Sequence, residues 1–553
     1  MFKRAAVVFT AMSCMTLGIV MSVGLTAASG ASSTLTLENN TGVTFTDNFN
    51  PLDSNSFATQ MSVRSLIYEP LFEFDSLKAG VSYPWLATKY AWSNSGKTLT
   101  FTIRTGVKWS DGTAFGPADV AATFNLVSTT PAANVWGLPA LASPATVSGN
   151  TVVLNYAVAQ YSNIVNIAGT QLMLPANFGT ANSPAATAAV TAPVGTGPYV
   201  LNNYSSALVS YKANSNYWGG PPAASAINVP SYASNTDAAT ALAAGQLDWA
   251  GNDIANVNKI FVGVDKSTNH IYFAPGSTVT LEFNVTKWPF TNLAVRQAVS
   301  AGVNRSALSV KGETGYEAPA TSLSALILPS QASYLGSQYK NDVKATNQPK
   351  TVKSIMTKAG FKKNKQGYYA LKGKVVKFSM EDPIAYSDYY ADIQLMSTEL
   401  KSEGIDATVD GVEASQWYTD SADGNFDAIE HWGNGGTDPY TQFDNWLDYK
   451  NSAAIGKSAN ADYGRYNNKT VQSLLTKLSA TDPSNTAAVK AATLPLEKIE
   501  VATLPVVPLL YGADWDEYST ANFTGFVTAA NPYMDPSPSD PELPYILMQL
   551  KAS

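Results

Sequence analysis

Between Lys374 and Trp432 the apolar pattern alternates between a period of two and a period near 3.6. KVVKFSM reads as a strand. In DYYADIQLMSTELKSEG, Tyr389, Ile393, Met396 and Leu400 fall on one helical face. IDATVDGV is again a strand, a short helix around Ala414 to Tyr418 follows, and NFDAIEHW closes the run as a third strand. Strand, helix, strand, helix, strand implies a parallel sheet with right-handed crossovers, so the fold class is α/β. Ligands of such sheets sit beyond the carboxyl ends of the strands. That rule places His431, Trp432 and the loop GNGGTDPY beside a cleft.

The chain has 553 residues, too many for one ordinary core. Charged residues are only 14% of it, and Ser, Thr, Asn and Ala fill the polar positions, as in many exported bacterial proteins. A net charge of −7 offers no basic stripe to phosphates, which argues against a nucleic-acid partner. MFKR, an apolar run from Ala5 to Leu25 and the small residues TAASGAS read as a secretory signal over residues 1–30. The alternative is a retained membrane anchor. The one cysteine, Cys14, lies inside that signal; it is filler there, or an acylation site if the signal is of the lipoprotein type. The mature chain then has no disulfide, and its stability outside the cell comes from core area.

Further landmarks are scaffold-like. In FTIRTGVKWSDGTAFGPADVAATFN, Leu99, Phe101 and Ile103 share a strand face, and Val120, Phe124 and Val127 form a helical stripe. Trp109 is expected in the core between them. Arg104 is a candidate ion-pair partner for Asp111 or Asp119. Asn292 is a helix N-cap candidate, with Val295, Val299 and Val303 behind it. Catalytic motifs are missing. AAIGKSAN places Asn451 where a phosphate loop needs glycine, and there is no GxSxG or HExxH. With two histidines, His270 and His431, and no mature cysteine, no metal site and no cofactor are expected. A carboxylate pair for glycoside hydrolysis stays open, so a secreted hydrolase is a remote alternative.

Five ordered blocks form a set. The residues Arg104, Gly106, Val107, Lys108, Trp109, Asp111, Gly112, Thr113, Asp119 and Val120 resemble the signature of the family 5 extracellular solute-binding proteins of ABC importers. GTGPY with NYWGG, Gly245-Gln246-Leu247-Asp248, FNVTKWPFTNLAVRQAVSAGVNR and LPVVPLLYGADWDEYS resemble its later blocks. The resemblance implies a two-lobed periplasmic-binding-protein-like fold with an extra domain on one lobe and a ligand cleft between lobes. It divides the chain into a discontinuous first lobe (31–60, 192–285 and 500–553), an inserted domain (61–191) and a second lobe (286–499). It further implies a non-enzymatic receptor, likewise a monomer, which closes on a solute and docks on membrane permease subunits. The localisation implied is periplasmic or cell-surface.

Peptide receptors of that family hold the ligand's amino terminus with an Asp three residues after a Trp and four before a Pro. Here Trp432 and Pro439 keep the spacing, but the slot is Gly435. Asp438 or Glu430 is a neighbouring substitute. Two ligand classes therefore stay open, a peptide-like solute and a short oligosaccharide, with a metal chelate behind them. The cleft candidates are Asn48, Asn50, Trp417, Trp432, Gly433, Asn434, Gly435, Asp438, Tyr440 and Trp515, whose rings suit stacking and whose amides suit hydroxyl partners.

Overall fold

The computed structural model describes residues 33–179, 184–433, 435–436 and 438–553; the signal segment with Cys14, and Asn434, lie outside them. The two chain ends meet in one core. Leu35 and Leu37 pack with Trp249, Tyr518, Phe526, Ile546 and Leu547. Thr34–Thr36 runs parallel to Ala226–Pro230 in a four-stranded sheet completed by the hairpin Tyr199–Ser205 and Leu208–Ala213.

The signature segment builds a separate antiparallel sheet. Thr98–Ile103 lies between Ala87–Ser93 and Thr151–Asn155, with Ser143–Ser148 at the far edge. Its strand buries every second residue, and Pro117–Thr129 covers that face with Val120, Phe124 and Val127. Trp109 is buried among them. Asp119 accepts from Gly116 N at 2.9 Å, closing the helix start, and from Ala176 N at 3.0 Å. Arg104 makes no ion pair with either aspartate. It donates to Trp85 O at 2.6 Å and lies 4.1 Å above the Trp218 ring, while Asp111 accepts from Thr113. The reason is local: a guanidinium that donates to the carbonyls of Trp85 and Pro84 and lies on an indole face is already satisfied.

The second lobe is organised by a six-stranded mixed sheet. Its order is Ala318–Pro319, Val506–Tyr511, Val279–Phe283, Ala428–Trp432, Lys377–Pro383 and Asp406–Val412. The last three are mutually parallel where they pair, as the alternating periods require. Helix Ser387–Glu403 buries Ile393, Met396 and Leu400 on this sheet and ends at Gly404, where φ is 95°. Helix Leu293–Gly302 begins at Asn292, whose side chain accepts from Ala294 N.

Two expected boundaries move. Val279–Phe283 and Val506–Tyr511 belong to the second lobe's sheet rather than the first lobe. Every residue of both strands is buried, so no alternation marks which body they serve. Residues of the expected insert 61–191 contribute to two cores. Val63, Leu66, Ile67, Leu172, Leu174 and Ala185 pack with Leu35 and Trp249, whereas residues from Leu71 to Met173, joined by Tyr217, form a separate core. The chain crosses between lobes on two adjacent antiparallel connections, where Ala274 and Pro275 pair with Asp514 and Ala513. Gly276 and Gly512 hold the crossing tight; a Cβ on Gly276 would fall 1.6 Å from Asp514 Oδ2.

Candidate functional site

The carboxyl ends of Lys377–Pro383 and Ala428–Trp432 lie at one edge of the second lobe's sheet. Asp382 is the penultimate residue of the first strand and Glu430 stands two residues before the end of the other. The first turns of helix Ser387–Glu403 bring Asp388 and Asp392 to the same place, one turn apart on one face. Glu313 and Glu317 come from the segment following Leu308–Gly312. Gly312 packs so closely that a Cβ there would sit 1.7 Å from Asp392 Oδ1. Glu317 reaches the crossing connection, accepting from Ala513 N at 2.8 Å. Asp253 faces this group from the first lobe, close enough for its charge to act on Glu313, Glu317 and Asp392.

All seven carboxyls are buried. Among the described residues no N–H or hydroxyl donates to either side-chain oxygen of Glu313, Asp382, Asp392 or Glu430, nor to one oxygen each of Asp253, Glu317 and Asp388. Burial pushes all seven above the ordinary carboxyl range; for all but Asp388, neighbouring acids add to the rise. Among the described residues no lysine or arginine forms an ion pair with them. Asp392 and Glu430 meet within hydrogen-bond reach, a contact that holds only if one of them carries a proton.

An aromatic wall adjoins this floor. Trp432 stacks on Tyr389 at 5.9 Å and on Trp417 at 5.5 Å, with Tyr386 at 6.3 Å. Trp417 is fully buried, so it supports Trp432 from behind. His431 stacks on the same indoles. Burial holds its imidazole down at about 4, so it is neutral near pH 7.

The remaining candidates divide. Gly433 is buried where a Cβ would press on Gln442 and Trp446; Gly435 is exposed, 3.4 Å from Gly276 O when given a Cβ. Asp438 caps helix Pro439–Leu447 by accepting from Tyr440 N at 2.9 Å, and burial raises it to about 6. Its oxygens are engaged by that N–H and by Ser162 of the inserted domain, so it is a cap rather than a free counter-charge. Tyr440 stands beside Asp444 and is pushed well above the phenol range, first by burial. Trp515 packs edge-on against Phe273 and Tyr316 near the crossing. Asn48 and Asn50 are not brought to this site by any contact. Asn50 is buried, donating to Ala185 O and Ala188 O and accepting from Leu52 N; Asn48 accepts from Val190 N. Their amides are already used by the first lobe.

Apart from Glu430, sequence reasoning passed over the floor carboxyls. A signal was present: an acid inside an apolar strand, as in AIEHW, and two acids four residues apart at a helix start. Only the fold shows that they converge.

Comparison with known proteins agrees with this architecture. The family model described as bacterial extracellular solute-binding proteins, family 5, matches residues 82–454. The nickel-binding periplasmic protein of Escherichia coli is 28% identical over 412 residues, covering 70% of this chain and 74% of that protein. The dipeptide-binding protein of the same organism is 28% identical over 368 residues, 57% of this chain and 62% of that one. A periplasmic oligopeptide-binding protein from Thermotoga maritima, crystallised with mannohexaose, superposes with a TM-score of 0.85 at 24% identity, covering 94% of this chain and 99% of that one. Signature blocks, two lobes joined by a paired crossing and the family match together make this chain a member of the bacterial extracellular solute-binding proteins, family 5.

Proposed function

We propose that this protein captures a peptide-like solute between its lobes outside the cytoplasmic membrane and hands it, unaltered, to the permease subunits of an ABC importer. The observation that carries the peptide reading is Glu430. It lies two residues before Trp432, is fully buried, and the side chain within hydrogen-bond reach of it is another acid, Asp392. A free amino terminus supplies both the charge and the N–H groups that this position lacks. Glu430 thus takes the part that Gly435 cannot play. Binding that touches both lobes shifts the open–closed balance by its differential affinity for the closed form. The dipeptide-binding relative belongs to the same ligand class.

A second reading, a short oligosaccharide, is favoured by one specific observation. Trp432 presents a partly exposed indole braced by Tyr389 and Trp417, a surface on which a sugar ring stacks. The Thermotoga neighbour was crystallised with such a ligand. Titrating the purified chain with a tripeptide pool and with cello- and xylo-oligosaccharides, following tryptophan fluorescence, separates the two. Saturable binding of free-amine peptides, lost on N-acetylation, supports the peptide reading. Binding of oligosaccharides alone overturns it. Mass spectrometry should recover the bound solute intact; turnover would point instead to a hydrolase.

A further inference from the structure

Tyr316 belongs to the second lobe by its chain neighbours. Just after it, Ala318 and Pro319 pair with Tyr511 and Leu510 at the edge of the six-stranded sheet. Just before it, Gly312 lies against helix Ser387–Glu403, where a Cβ would sit 1.7 Å from Asp392 Oδ1. Between these fixed points the chain turns through Thr314 at φ 50° and Gly315 at φ 90°. That conformation is easy for glycine but strained for a β-branched residue, and such strain persists only where the surroundings impose it. Here they do. Gly315 N donates to Ser309 O at 2.7 Å, Tyr316 N to Glu313 O at 2.9 Å, and Ser309 Oγ to Glu317 O at 2.6 Å. The turn is a rigid part of the second lobe, and it holds the side chain of Tyr316 in a fixed direction.

The ring of Tyr316 nevertheless packs on the first lobe. It meets Phe273 edge-on at 4.7 Å and Trp515 at 6.2 Å, both on the first-lobe side of the paired crossing. It also joins the small core of Leu242, Leu247, Ile254 and Phe261. That core is first lobe, since the neighbouring Trp249 and Ala250 pair with Tyr518 and Glu517, and Trp249 packs with Leu35. At the far end of the ring, the hydroxyl accepts from Asn258 Nδ2 at 2.5 Å. The lobes are together at a second place as well: a Cβ on Gly42 of the first lobe would lie 3.5 Å from Ala385 Cβ and 3.6 Å from Ala414 Cβ of the second. We propose that Tyr316 is a latch of the closed form, so that its bond to Asn258 strengthens the binding of whatever solute the cleft takes. Each partner is fixed in a different lobe, so rotation about the crossing separates them. The ring contacts at Phe273 and Trp515 lie beside the pivot and move least; the hydroxyl bond is the one that opening breaks. Apparent affinity scales with the fraction of binding-competent protein. One hydrogen bond shifts such an equilibrium by about two- to tenfold, and this one acts on peptide and oligosaccharide alike.

The test combines small-angle scattering of the purified, unliganded chain with calorimetric titration of Ala-Ala-Ala and of cellotriose. Tyr316→Phe keeps the ring and removes the hydroxyl; Asn258→Ala removes the donor. Each should enlarge the radius of gyration relative to wild type. The double variant should enlarge it no further than either alone, because all three lose the same bond. Each variant should weaken a probe that binds by about two- to tenfold, and by the same factor if both bind. Radii equal to wild type in both single variants, or an enlarged radius with unchanged affinity for a bound probe, would overturn the latch and leave the proposed function standing. Additive expansion in the double variant would overturn the pairing of the two residues. A loss confined to one probe when both bind would make Tyr316 a solute contact and overturn the latch as well. Scattering decides alone if neither probe binds, and Tyr316→Phe decides if Asn258→Ala does not fold.

Discussion

The signature segment and the cleft floor are both rich in polar residues packed near aromatic rings, yet they handle those residues in opposite ways. Around Trp109, each charged group named is spent on the chain itself: Asp119 on Gly116 and Ala176, Asp111 on Thr113, Arg104 on Trp85 O and the Trp218 ring. On the floor, Asp382, Asp392, Glu313 and Glu430 are buried with oxygens to which no N–H or hydroxyl of the described residues donates. The carboxyls shift accordingly. Thr113 holds Asp111 below its ordinary range, whereas burial lifts the floor acids above theirs. A saturated polar network is a scaffold; an unsaturated buried one is either a destabilising feature or a place that awaits a partner.

This contrast can be broken experimentally. The largest effect belongs to the scaffold. Phe101→Ala removes a fully buried ring from the inserted core and should cost about 3–5 kcal/mol in denaturant unfolding; a loss below about 1 kcal/mol would mean that the inserted domain is not held by this core. Next comes the pH dependence of the whole chain. Glu38, Glu69 and Glu282 are raised from 4.5 to about 7, in each case first by burial. The folded form therefore binds more protons than the unfolded one between those values. Stability is greatest below about 4.5 and falls as pH rises through about 7. The melting temperature should be several degrees higher at pH 4.5 than at pH 7.5, and a rise in the other direction would show these acids to be paired.

A smaller effect separates the two regions directly. Asp392→Asn replaces an acid that meets Glu430 acid to acid with an amide that can donate to it, so at pH 7.5 it should stabilise the unliganded protein, by about 1–3 kcal/mol. Destabilisation at that pH would show the floor to be as saturated as the signature. The smallest effect is expected at Asp119→Ala, which leaves the N–H groups of Gly116 and Ala176 without their acceptor and should cost about 1 kcal/mol at neutral pH with ligand affinity unchanged. A change in affinity there would tie the signature to the cleft after all.

Legibility followed the same division. Leu99, Phe101, Val120, Phe124, Ile393 and Met396 were readable as core because their periods match the elements that bury them. Asn292 and Asp119 were readable as caps because capping acts within a few residues. Trp432 was readable at a strand's carboxyl end because strand order fixes where such ends gather. Asn48 and Asn50 read as ligand contacts, yet their partners, Ala185, Ala188 and Val190, lie far along the chain and no local pattern announces them. Asp438 read as a spare acid, but the helix starting at Pro439 uses it.

The sequence by itself determined the class of fold, the signature scaffold and the family, since each rests on periods and spacings of neighbouring residues. Only the tertiary structure decided that Asp253, Glu313, Glu317, Asp382, Asp388, Asp392 and Glu430 share one buried place without a cation among them. The physical reason is that electrostatic energy depends on distance and burial in space. An acid's position along the chain carries neither, so a surface aspartate and a buried one are spelled alike.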